Sequence, residues 1–175
     1  SDTVDLVFIN CKVPAERLLG KEGEGFAIAM SGLDAGRIGI AALSLGVAQA
    51  ALDEAIKYAK QRKQFGQAIA QFQGLQWIIA DMAMDVEAAR LLVLNAADMK
   101  ERGENCTMAA SMAKCFASEM VNRVTSQAIQ IHGGYGYVKE YAVERFYRDA
   151  RVLTIYEGTN QIQRHVIARE LLKSK

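Results

Sequence analysis

The chain has 175 residues, 51% hydrophobic and 23% charged, enough for one domain with a covered core. Its 21 basic and 20 acidic residues leave a formal net charge of +1, so no charge excess points to nucleic acid or to an anionic membrane surface as a partner. Three scattered cysteines (Cys11, Cys106, Cys115) and two histidines (His132, His165) argue against a disulfide framework and a structural metal site, and for a reducing compartment.

Residues 1–21 differ from the rest. Val4, Leu6, Phe8 and Ile9 form a β-prone run, Val13-Pro14 turns the chain, and Gly20, Gly23 and Gly25 follow. With Ser1 rather than Met at its start, this segment reads as the last strand and linker of a preceding β-domain, and the chain as a piece of a larger protein. Residues 22–175 then read as one helical domain. Pro14 is the only proline, so little interrupts helix formation beyond it.

A first helical stretch covers about 25–63, in two pieces or bent near Asp34-Ala35-Gly36, and ends in the basic cluster Lys57, Lys60, Arg62 and Lys63. Positive charge there complements the helix dipole. Gly66 breaks the pattern. Over 72–101, Phe72, Leu75, Ile79, Met82, Val86, Ala89, Val93 and Ala96 recur at spacings of three and four, predicting one apolar stripe. Arg102–Asn105 is a turn, and Thr107 is the expected cap of a helix over 108–131, with Met112, Phe116, Met120, Val124 and Ile131 on one side. Gly133-Gly134 stops that helix. A short helix near 141–149, a non-helical Val152–Gly158 and a last helix from Thr159 to about Leu172 complete the chain. No apolar run approaches the roughly 20 residues of a membrane span. The predicted fold is all-α, an up-and-down bundle of four main helices with a short extended N-terminal segment.

Four segments stand out chemically. In Tyr156-Glu157-Gly158-Thr159-Asn160-Gln161, Thr159 reads as an N-cap and Glu157 as a solvated acid before it. The same geometry serves function: free N–H groups at a helix start hold polar or anionic groups, Gly158 permits close approach, and a shielded carboxylate removes protons. Gln130-Ile131-His132-Gly133-Gly134-Tyr135-Gly136-Tyr137 is a helix end with a glycine turn; its glycines follow a helix, which excludes a Rossmann phosphate loop. Arg62-Lys63-Gln64-Phe65-Gly66 with Phe72-Gln73 reads as a charged helix end and core aromatics. Leu33-Asp34-Ala35-Gly36-Arg37 reads as a helix bend with an exposed ion pair. The charges of Arg145, Arg148, Asp149 and Arg151 read as helix surface.

The string Ile155-Tyr156-Glu157-Gly158-Thr159-Asn160-Gln161-Ile162-Gln163-Arg164 closely resembles the C-terminal motif of the acyl-CoA dehydrogenases, and the three other segments resemble that family in order. Within the family the chain resembles short-chain, butyryl-CoA dehydrogenase-like members. The resemblance implies a helical C-terminal domain in which Glu157 removes the α-proton of an acyl-CoA while the β-hydride goes to flavin N5. It assigns Asp34, Arg37, Tyr156 and Gly158 to substrate. It assigns Arg62, Gln64, Phe65, Phe72, Gln73, Gln130, Ile131, Gly133, Gly134, Thr159 and Gln161 to FAD, with the Gln130–Gly134 segment lying against the dinucleotide of a neighbouring subunit. Some members carry their base at the position of Gly36 instead; glycine there and Glu157 in the motif match the majority layout.

Implied with the family are α,β-dehydrogenation of a short- or medium-chain acyl-CoA to the trans-2-enoyl-CoA, reoxidation by electron-transfer flavoprotein, and a dimer or tetramer. A cytoplasmic or mitochondrial-matrix location follows too. Apolar surface left uncovered by other domains favours association, and the isolated chain is expected to be inactive. An oxygen-using acyl-CoA oxidase on the same fold and a non-enzymatic helical oligomerisation module are the competing readings.

Overall fold

The computed structural model describes residues 4–173; Ser1–Thr3 of the expected strand segment and residues 174–175 of the expected bundle lie outside them. Five α-helices are present among the described residues: α1 (Gly25–Gln61), α2 (Gln73–Glu101), α3 (Thr107–His132), α4 (Val143–Ala150) and α5 (Asn160–Leu171). The chain divides into two compact units, residues 1–32 and 33–175. In the first, no strand forms over residues 4–21; a 3-10 turn spans Ala15–Arg17 and the apolar side chains of Val4, Leu6, Phe8 and Ile9 are exposed. A β-prone run becomes a strand only beside a partner edge, and the described residues of this unit offer none.

In the second unit α3 is the centre: α2, α4 and α5 all pack against it. The periodic stripe of α2 does what its spacing predicts, burying Met82, Val86, Ala89, Val93 and Ala96. The single apolar side expected of α3 is too narrow a description. Neighbours on several sides bury Ala110, Ala113, Ala117 and Ala128 as well as Met120, Val121 and Val124, and also the polar Ser111, Lys114, Ser118 and Thr125. Thr125 copes by donating its hydroxyl back to the Val121 carbonyl at 2.7 Å. On α1, Arg37, Ala41, Ser44, Ala48, Ala51, Ala55 and Ala59 are buried at spacings of three and four, and the alanines of this face join the same core.

Four local expectations are corrected. Helix α1 is uninterrupted through Asp34–Gly36, because glycine inside a helix weakens it without ending it. It is also long and apolar enough, by length and composition, to cross a membrane, contrary to the reading of its sequence; Gly, Ala and Ser dilute its charges without making a bulky apolar run, and part of it is buried in the core. Thr107 is the first residue of α3 rather than its cap: Asn105 Oδ1 accepts the Thr107 N–H at 3.1 Å, while the Thr107 hydroxyl donates to Asp34. The stretch after α4 is not wholly irregular, since Arg151–Thr154 forms a 3-10 turn.

Between α1 and α2 lies an unforeseen two-strand hairpin, β1 (Lys63–Gln64) against β2 (Gln67–Ala68), antiparallel with Gln64 opposite Gln67. Its two turn residues, Phe65 (φ 50°) and Gly66 (φ 81°), are both left-handed, as a type I′ turn demands. The turn presents the Phe65 ring to solvent, 92% exposed.

Candidate active site

Glu157 sits on the turn that precedes α5. Its φ is 53° and that of Gly158 is 85°, so two consecutive residues are left-handed. For a glutamate that conformation costs about 1–2 kcal/mol, and the surroundings hold it there. Gln163, fully buried on α5, donates its amide to the carbonyls of Glu157 (3.0 Å) and Gly158 (3.1 Å). Lys114, fully buried on α3, donates its ammonium to the Gly158 carbonyl (2.8 Å) and to Asn160 Oδ1 (2.9 Å). The Asn160 amide in turn donates to Ser118 Oγ at 3.0 Å. As expected, Thr159 caps α5, accepting the Ile162 N–H at 3.5 Å.

The carboxylate of Glu157 lies over Gly36. A Cβ added at Gly36 would stand 2.5 Å from Glu157 Oε2 and 2.9 Å from its carboxyl carbon. The glycine therefore makes room for the acid. Oε2 is buried and has no hydrogen-bond partner among the described residues, and neither has Arg37 Nε. Asp34 and Arg37, two residues before and one after Gly36, pair at 2.7 Å. Their ion pair is not at the surface as the sequence reading had it: Thr107 donates to Asp34 Oδ2 at 2.8 Å, and both side chains are largely covered. Burial raises the Tyr156 hydroxyl above its ordinary pKa, with the Glu157 charge adding to the effect. Burial lowers that of Lys114.

A second group of the expected residues meets elsewhere. Arg62, Gln64, Ile131, Gly133 and Gly134 line one open cavity of about 480 Å³. Cβ atoms at Gly133 and Gly134 would meet nothing within 4 Å, so the backbone there faces free space. The floor is aromatic. Tyr58 stacks on His132 at 4.2 Å, and Arg62 lies over the Tyr135 ring at 5.4 Å. Phe65 and Phe72 meet edge to face at 6.2 Å. Gln73, Gln130 and Gln161 are exposed and belong to neither cluster.

Lys114, Ser118 and Tyr58 went unremarked in the sequence, and Asn160, Gln163, His132 and Tyr135 were quoted in motifs without a role. Ser111, Lys114, Ser118 and Thr125 do form a polar stripe at helical spacing, but such a stripe ordinarily faces water.

The profile of the acyl-CoA dehydrogenase C-terminal domain matches residues 23–172. The chain belongs to the acyl-CoA dehydrogenase family. Among its relatives are the caffeyl-CoA reductase-Etf complex subunit CarC of Acetobacterium woodii (58% identical over 98% of this chain and 45% of that one) and an acyl-CoA dehydrogenase of Bacillus subtilis (58%, again 98% and 45%). The solved butyryl-CoA dehydrogenase of Megasphaera elsdenii superposes with a TM-score of 0.94 at 53% identity, over 95% of this chain and 44% of that one. The chain thus spans less than half the length of these relatives, and its helical bundle is the acyl-CoA dehydrogenase C-terminal fold.

Proposed function

We propose that this chain supplies the catalytic base of an FAD-dependent enzyme that converts a short- or medium-chain acyl-CoA into the trans-2-enoyl-CoA. The observation that carries the reading is the Glu157 carboxylate. It is shielded, one oxygen is unpaired, and a strained but firmly bonded turn fixes its backbone. A general base needs a free lone pair within reach of the proton it takes, and that is what an unpaired Oε2 offers. The α-proton goes to Glu157, and the Asp34–Arg37 pair, Tyr156 and Gly158 border the approach of the acyl-CoA.

FAD, when bound, supplies the hydride acceptor. The residues fit such a group: a guanidinium, an exposed glycine backbone and aromatic faces surround a cavity of about 480 Å³. Arg62 and Gln64, with Ile131, Gly133 and Gly134, would hold the dinucleotide; Phe65, Phe72, Gln73 and Gln130 would extend that contact, and Thr159 and Gln161 would meet the flavin. Lys114, beside the Glu157 turn, and His132, at the cavity, stand eighteen residues apart on α3, about 27 Å at 1.5 Å per residue. That separation supports a homo-oligomer in which one chain's cavity serves the cofactor of its neighbour. The exposed row Trp77, Met84, Leu91 and Leu94 on α2 supports it too. Electron-transfer flavoprotein is the proposed electron partner, in keeping with a relative named as part of an Etf complex, and the bacterial relatives favour the cytoplasm. Taken alone, residues 1–175 are expected to bind FAD weakly or not at all and to be inactive.

Glu157→Gln in the full-length enzyme should leave flavin content intact and slow bleaching of the flavin by acyl-CoA by roughly 10²–10⁴-fold. Bleaching at the unaltered rate would remove Glu157 from the role. The relative named as a reductase favours a second reading, the same chemistry run toward the saturated acyl-CoA. Oxidation rates of the reduced enzyme by enoyl-CoA, set against its reduction by acyl-CoA, decide the direction.

A further inference from the structure

We infer that Lys114 and Gln163 are positioning residues of the reaction: together they grip the carbonyls of the Glu157–Gly158 turn and so aim the carboxylate. The inference rests on reading Glu157 as the base.

The turn has a conformational problem of its own. A left-handed glutamate relaxes to the right-handed or extended regions unless its neighbourhood forbids it, and relaxation swings the side chain away from Gly36. Two carbonyls define the turn, and both are held by buried side chains from two different helices. Gln163 reaches back from α5 to both of them, at 3.0 and 3.1 Å. Lys114 crosses from α3 to the second, at 2.8 Å. Gly158 leaves space for this grip, since a Cβ there would stand 2.8 Å from Gln163 Nε2.

Lys114 is an expensive way to hold a loop. Its whole side chain is out of water, and loss of solvation lowers its pKa. Removing it alone deprives buried acceptors of a donor, at about 1–3 kcal/mol for each one left unpaired. Its further bonds are arranged rather than incidental: Asn160 Oδ1 accepts from Lys114, while the Asn160 amide is tied to Ser118 Oγ and, at 3.2 Å, to Glu119 Oε1. Both Lys114 bonds end on residues 158–160, the turn and the first residue of α5. A Met side chain fills the same volume with no donor, so substitution separates aim from packing.

The test uses the full-length flavoenzyme and follows flavin bleaching by butyryl-CoA in stopped flow, with protium or deuterium at the α-carbon. Lys114→Met should bleach roughly 10- to 100-fold more slowly. Its α-deuterium isotope effect should grow, while flavin content and butyryl-CoA dissociation constant stay near the parent values in the folded variant. Gln163→Met, which removes the other donor and leaves Lys114 in place, should behave alike and carries the test should Lys114→Met not fold. Bleaching at the parent rate in a folded variant overturns the inference, and so does a slower rate with an unchanged isotope effect. A slower rate that merely tracks lost flavin overturns it as well. A parallel Glu157→Gln enzyme separates the two levels. If it bleaches normally, the base assignment fails and the inference with it; if it is inert while Lys114→Met is normal, the inference alone fails.

Discussion

The Glu157 turn and the Arg62–Gly134 cavity are built on opposite plans. At the turn the carbonyls of Glu157 and Gly158 are both engaged and the supporting lysine and glutamine are fully buried, while Glu157 Oε2 is left without a partner among the described residues. At the cavity Gly133 and Gly134 face open space and Arg62 meets an aromatic face. The first region is preorganised within one chain, as a group that must meet a reacting atom in a fixed place requires. The second is one wall of a site, shaped for a molecule that brings its own bulk. Damage at the turn should therefore appear in the chemical step, and damage at the cavity in cofactor retention.

Gly36→Ala tests the turn with the largest expected effect after loss of Glu157 itself. The new Cβ would overlap Glu157 Oε2 and push the carboxylate aside by about the length of the clash. A misplacement near 1 Å at a reacting group costs on the order of 100-fold. Alanine is also the better helix former, by about 0.8–1.0 kcal/mol, so α1 gains intrinsic stability while activity drops. A variant with raised or unchanged melting temperature and roughly 100-fold slower flavin bleaching fits this picture. Unaltered kinetics would show that the carboxylate does not work from its place over Gly36.

Arg62→Ala probes the cavity and should leave the chemical step alone. The guanidinium lies over the Tyr135 ring and forms no ion pair among the described residues, so its removal disturbs little packing. One charge-assisted contact to a phosphate is worth about 1.5–3 kcal/mol, which predicts roughly 10- to 100-fold weaker FAD binding by the assembled enzyme. The bleaching rate of the flavin-saturated variant should stay within about twofold, since Arg62 has no part in proton abstraction. A large fall in that rate with FAD affinity unchanged would erase the distinction between the two regions.

How much of this was open to a reader of the chain differs between the regions for a physical reason. Helix α2 was legible because its apolar residues keep a period of three and four, which burial against α3 then uses. The start of α3 differs from the expected one by one residue: Cys106 takes the cap position without a side-chain cap bond, and the Thr107 hydroxyl is drawn to Asp34 instead. The β1–β2 hairpin escaped notice because its strands are two residues long and phenylalanine takes a turn position that Asn or Gly usually fills. Cavity residues are near neighbours in sequence within two segments, so motif reading grouped them. The grip on Glu157 comes from Lys114, far back along the chain, and a lysine on a helix reads as solvated until the fold buries it.

The smallest expected effect concerns acid, and it again falls on the cavity. His132 is buried at the end of α3, where its Nδ1 donates to the Ala128 carbonyl at 2.8 Å and its ring stacks on Tyr58. Burial pushes its pKa below 6.5; the Ala128 bond and the charge of Glu54 oppose the shift without cancelling it. The folded chain therefore takes up its imidazole proton at lower pH than the unfolded chain does. Between those two pKa values the unfolded state holds more protons, so stability falls as pH drops through 6.5 and levels off below the folded-state value. Tyr58 and Tyr141 pack against the ring. Replacing His132 with Gln, which keeps a hydrogen-bond donor without a titrating ring, should flatten this part of the melting temperature profile between pH 7 and pH 5. It should leave the profile above pH 7 parallel to the parent. A parent protein whose stability rises on acidification through this window would mean that His132 is held protonated, and with it that the cavity carries a second fixed positive charge beside Arg62.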